Sequence, residues 1–256
     1  MSKPLFSWLI LIALALVWGS SFMLMKQGMK VFSAEEVAGL RIVMASVFLL
    51  PFLIKHGKVK IKKYWPAILV MGMFGNLFPA FLFTAAENGI SSSLTGMLNA
   101  LTPLFTILIA VLIFKSKTNL LQFIGILIGF GGAVLLMYFN EDKTHHENGL
   151  RFCLMVAAAT LCYAISVNVI RRYLSDLSSV TATVWSFTFI GPMALAYLFL
   201  RTDFIQTIQL NANALPALGY ISILGVVGSS LSVIAFNYLI IKSGAVFASS
   251  VTYLIP

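Results

Sequence analysis

The sequence predicts an all-α, polytopic membrane protein made of two inverted five-helix repeats, with the chain ending inside the ninth helix. Three observations predict it. First, 60% of the 256 residues are hydrophobic and only 10% are charged, against about 45–50% and about 25% in soluble domains. Lipid accepts the apolar surface that water would reject. Second, the apolar residues fall in runs of the length a spanning helix needs, about 20 residues for about 30 Å of hydrocarbon. Third, the runs repeat once along the chain.

The runs are Leu5–Met25, Val37–Ile54, Trp65–Ala86, Ser93–Phe114, Leu120–Phe139, Leu150–Ile170, Val180–Leu200 and Leu215–Ile241. A ninth starts near Ala245 and ends at Pro256. They are continuous, whereas strands of a membrane barrel alternate and are about ten residues long, so helices are predicted. The first run is longer than a signal-peptide core and has no small-residue cleavage site behind it, so it reads as an uncleaved span. The gaps His56–Tyr64, Asn140–Gly149 and Arg201–Ala214 are too short to fold alone.

Orientation follows the basic residues of short loops. With the N-terminus in the cytoplasm, Lys55, Lys58, Lys60, Lys62, Lys63, Lys115, Lys117, Arg171, Arg172 and Lys242 all lie inside with Lys3. Only Lys26, Lys30, Lys143, Arg151 and Arg201 then lie outside. A multi-pass protein of the cell membrane, N-terminus inside, is the expectation. The net charge of +9 is thereby assigned to the bilayer surface, and no nucleic-acid partner is expected.

An offset of 145 places Trp18-Gly19-Ser20-Ser21 on Tyr163-Ala164-Ile165-Ser166, and Ser33 on Ser178. After the longer Arg201–Ala214 loop an offset of 153 places Gly72 and Gly75 on Gly225 and Gly228, Phe83 on Phe236, and Leu101-Thr102-Pro103 on Leu254-Ile255-Pro256. The repeats are residues 1–139 and 150–256. Five spans is an odd number, so the second copy enters the membrane upside down. Inverted repeats commonly build secondary transporters, with the substrate site between the halves near the midplane. By the repeat, the ninth span should continue past Pro256 and a tenth should follow, so a truncated carrier fragment is one expectation.

The chain resembles the drug/metabolite transporter superfamily and, within it, the EamA family. The resemblance rests on Trp18-Gly19-Ser20-Ser21-Phe22, Leu40-Arg41, Leu94-Thr95-Gly96, Leu101-Thr102-Pro103-Leu104-Phe105-Thr106, and Gln122 with Gly125 and Gly129. It implies the ten-helix transporter fold, with helices one to four and six to nine around a central cavity. It also implies transport of small metabolites, often amino acids or related compounds. One departure is Lys115-Ser116-Lys117, where members commonly carry an acidic residue after the fourth span.

Candidate residues follow from what is costly in lipid. Arg41 is the one strong charge within a span. It reads either as snorkelling to the headgroups or pairing with Glu35 or Glu36, or as a gating or substrate-binding group. Glu87 ends the third span and reads as a solvated helix end or, if buried, as a proton-carrying or charge-pair group. Asn76, Asn99, Asn168 and Asn237 sit in four spans, either as interhelical glue or as the lining of a polar cavity. Trp18, Tyr163 and Trp185 are candidates for its walls. Pro103 and Pro256 predict helix kinks.

Other chemistry has weaker support. Cys153 and Cys162 share one apolar run and read as packed hydrophobes. His56, His145 and His146 lie in loops with no spaced metal partners, so neither a metal nor a cofactor is expected. No phosphate loop is present, so ATP is not the direct energy source. The expected partners are a small-molecule substrate and the lipid bilayer, with a homodimer as an open alternative. A channel or non-transporting scaffold is the rival to a carrier.

Overall fold

In the computed structural model the described residues are 3–56, 61–116, 119–139 and 149–255. They form an all-α bundle of ten helices: α1 Lys3–Gly28, α2 Ala34–His56, α3 Ile61–Ala86, α4 Ser92–Leu112, α5 Leu120–Phe139, α6 Gly149–Tyr173, α7 Ser179–Arg201, the short α8 Phe204–Leu210, α9 Ala214–Ser243 and α10 Ala245–Leu254. Among the described residues seven are long and apolar enough to cross a membrane: α1–α4, α6, α7 and α9. Leu120–Gly132 of α5 and α10 are shorter apolar helices. Many large apolar side chains, such as Leu16, Met23, Leu112, Leu161 and Leu200, face outward, as expected where lipid is the solvent. Pro256, His145 and His146 lie outside the described residues.

The local chemistry sets the helix limits. The Ser91 and Ser178 side chains accept from the backbone N–H three residues on, capping α4 and α7. Ser33 and Glu36 exchange bonds in the same way ahead of α2, a reciprocal capping box. Gly244 takes φ +97 between α9 and α10, a conformation L side chains rarely adopt. Two helices carry π segments, Met73–Leu77 in α3 and Leu224–Leu231 in α9. Helix α4 breaks at Ala100–Leu101, just ahead of Pro103, and α10 ends in a 3-10 turn, Ser250–Leu254.

The contacts obey the repeat. A Cβ on Gly75 would stand 2.4 Å from Ser166 Oγ, and one on its repeat mate Gly228 would stand 2.9 Å from Ser21 Oγ, the mate of Ser166. Gly72 faces Ser186 and Ile190, while its mate Gly225 faces Arg41 and Ala45, the mates of those two. Tyr163 stacks on Phe83 at 5.6 Å, and the mates Trp18 and Phe236 meet edge to face at 5.0 Å. Ser46 touches its own mate, Gly191. A residue can contact its own equivalent only at the symmetry axis, so the pseudo-two-fold axis passes between α2 and α7 at that point.

A Cβ on Gly191 would lie 2.6 Å from Ser46 Cβ, a clash that rotating the hydroxyl cannot relieve. Gly191→Ala is expected to cost about 1–3 kcal/mol by overpacking, read as a lower Tm in detergent. Ser46→Gly should recover part of that loss. A double variant no more stable than the sum of the two singles would show that this contact does not hold the halves together.

Candidate functional site

A cavity lies between the halves and is partly open to solvent. Every spanning helix but α7 lines it, and Thr252 of α10 joins them. The helix periods select the residues: Trp18, Ser21, Phe22 and Met25 on α1, and Tyr163, Ser166, Val167 and Ile170 on α6. Both sets follow the i, i+3, i+4, i+7 spacing of one helix face. They are also repeat mates, position for position.

The walls are the two aromatic pairs described above. The π segments shape the middle. In each, a polar side chain bonds back to a carbonyl five residues earlier. Asn76 Nδ2 donates to Met71 O at 3.5 Å and Ser229 Oγ to Leu224 O at 3.3 Å. Asn76 and Ser229 are mates, as are Met71 and Leu224. The Gly228 carbonyl, inside the second π segment, accepts from Trp18 Nε1 at 3.0 Å. Away from water each carbonyl needs a partner, so this bond fixes the indole at the wall. Thr102 Oγ1 donates to Asn99 Oδ1 at 3.0 Å across the α4 break, and Asn237 Nδ2 donates to Thr183 Oγ1 at 2.9 Å.

Five of the seven cavity candidates come together here: Trp18, Asn76, Asn99, Tyr163 and Asn237. Two do not. Asn168 is buried on another face of α6, one residue past the lining Val167, and its Nδ2 donates to Thr106 O at 3.0 Å and Ala164 O at 2.9 Å. It ties α6 to α4. Trp185 lies on α7, behind the lining helices, where Nε1 donates to the His56 carbonyl at 3.3 Å. Pro103 stands at the start of the second half of α4, where its missing N–H suits the break.

Arg41 neither snorkels nor pairs with Glu35 or Glu36. Glu36 is held by the Ser33 backbone N–H and Glu35 accepts from Tyr197. The guanidinium turns into the cavity, because Ser229 on α9 lies across from it and accepts from Nε at 3.2 Å and Nη2 at 3.1 Å. The reading of Glu87 as a solvated helix end is also corrected. It is 3% exposed, and among the described residues neither carboxylate oxygen has a hydrogen-bond partner of good geometry. Burial raises its pKa to about 7, although the nearby Ser92 hydroxyl and then the charges of Lys26 and Arg41 favour its ionised form.

Sequence reasoning did not nominate Ser21, Ser166, Ser229, Phe83 or Phe236. All but Ser229 stand in the repeat alignment itself, and that alignment was the signal that could have found them.

The family model of the EamA-like transporter family matches residues 5–138 and 150–256. The chain is 25% identical over 250 residues to an uncharacterized transporter of Archaeoglobus fulgidus, covering 97% of this chain and 86% of that protein. It is 24% identical over 174 residues to the uncharacterized transporter YdfC of Bacillus subtilis, covering 67% of this chain and 56% of YdfC. The chain thus spans a little over half the length of YdfC. One solved crystal structure superposes with a TM-score of 0.70 at 14% identity, covering 97% of this chain and 85% of that one; this likeness concerns the fold.

The sign of the Glu87 shift gives a pH dependence. The native protein holds this proton to higher pH than the unfolded chain does, so the group's contribution to stability is greatest in acid. That contribution is lost as pH rises from about 4 towards about 7 and stays lost above. Wild-type Tm in detergent should fall across that window relative to Glu87→Gln, which lacks the titration. Parallel Tm curves for the two proteins would refute a raised pKa.

Proposed function

The chain belongs to the EamA-like transporter family, and from that premise we propose that it is a secondary carrier moving a small organic solute across the cell membrane by alternating access. The observation that carries this reading is the cavity, lined in matched positions by both halves and walled by the mated pairs Trp18–Phe236 and Tyr163–Phe83. A site built this way presents nearly the same wall to a solute from either half. Small residues at close contacts beside the cavity, Gly75 on Ser166 and Gly228 on Ser21, let the halves shift there without dragging large side chains past one another. Inverted repeats of this kind rock about a fixed midplane site. The N-terminus lies in the cytoplasm by the loop charges.

A membrane enzyme would need an acid and a base held together at the reacting centre. Among the described residues Arg41 is the one formally charged residue in the lining, and Glu87 stands outside it.

The test is saturable flux or counterflow in proteoliposomes across a panel of amino acids and small organic cations. Trp18→Ala and Phe236→Ala should each lower kcat/KM at least tenfold, about 1.4 kcal/mol or more, at unchanged abundance. Asn168→Leu should cost about 0.6–2 kcal/mol of stability for a lost interhelical bond, read as a lower Tm, and leave KM as it was. A protein that supports no saturable flux of any member would end the carrier reading.

A further inference from the structure

The cavity has a direction that its symmetry does not require. Among the described residues its lining holds one formal charge, Arg41. The mate of Arg41 is Ser186, and the mate of its partner Ser229 is Asn76. One half therefore lines the cavity with a guanidinium, where its mate Ser186 in the other half lies outside the lining.

The guanidinium is only partly satisfied. It has five N–H donors. Nε and Nη2 share one acceptor, Ser229 Oγ, whose own proton goes to Leu224 O at 3.3 Å. Nη1 meets Met25 Sδ at 3.6 Å, and a thioether is a weak acceptor. Among the described residues no acidic side chain forms an ion pair with it. Glu87 acts on it through space, and the nearby Lys26, whose Nζ donates to Ile90 O at 3.3 Å, adds positive charge at the same end. Ser229 thus anchors one edge of the fork, and the Nη1–Nη2 edge remains with a single soft contact. An unpaired charge this far inside a membrane protein is costly, and a planar oxyanion is the group that such an edge binds with two parallel bonds.

We propose that Arg41 is the counter-ion of the transported solute, so that the cavity selects molecules bearing one carboxylate. The carboxylate sits in the Nη1–Nη2 fork and the rest of the molecule lies against the aromatic pairs. This rests on the carrier reading and adds its substrate class. Ser229 is a positioning residue, holding the fork in line with the cavity.

The test uses the purified full chain in proteoliposomes with matched probes: the α-amino acids and simple monocarboxylates, their amides, and the corresponding amines. The expected result is saturable flux of carboxylate-bearing members, at least tenfold above their amides in kcat/KM. Arg41→Gln should lower that flux at least tenfold and erase the preference. Arg41→Lys, with the charge but no fork, should keep the preference at a raised KM. If Arg41→Gln does not accumulate, Ser229→Ala carries the test: KM should rise several-fold for carboxylates and not for amides. A preference that survives Arg41→Gln, or an equal rise for both classes in Ser229→Ala, overturns the proposal. Saturable flux of amides or amines that Arg41→Gln leaves unchanged overturns it while the carrier reading stands. No saturable flux from either panel ends both.

Discussion

Close approach of small residues across a pseudo-two-fold axis governs the interior. Ser46 against Gly191 sits on the axis. Gly75 against Ser166 and Gly228 against Ser21 flank it in mated positions. Lipid provides no hydrophobic force between helices, so van der Waals contact and polar bonds must hold them, and small residues let backbones come near enough for both. The same approach brings hydroxyls and amides within reach of backbone carbonyls of other helices. Ser230 reaching Ala45 O and Asn168 reaching Thr106 O are examples.

The π segments follow from that packing. A π turn shifts the backbone register, so a carbonyl loses its usual partner and becomes available to a side chain. In α9 the Gly228 carbonyl takes the Trp18 indole, and Ser229 is placed opposite Arg41. In α3 the matching segment places Asn76 at the cavity. The symmetric frame therefore builds the walls, while single departures from symmetry, Arg41 for Ser186 and Ser229 for Asn76, give the cavity its chemical direction.

Much of the site was legible once the repeat was found. Trp18 and Tyr163 were singled out as mates, and both line the cavity. Asn76, Asn99 and Asn237 were named only as amides in lipid, and they line it too. Asn168, a fourth amide, and Trp185, an expected aromatic wall, do other work. An amide in a span must find a partner, but the sequence does not say whether that partner is a cavity or a neighbouring helix. For Asn168 the answer is one step of helix rotation: Val167 faces the cavity and Asn168 faces α4.

The sequence by itself determined the all-α membrane class and the places of the seven long apolar helices. Hydropathy and residue identity belong to each position and read out in chain order without reference to distant partners. The tertiary structure decided which face of each helix meets the cavity, that Arg41 turns inward to Ser229, and that Glu87 is buried. Each of these depends on how a helix is rotated about its own axis. That rotation is set by residues up to 210 positions away, as for Trp18 and Gly228, whose nearness no local pattern encodes.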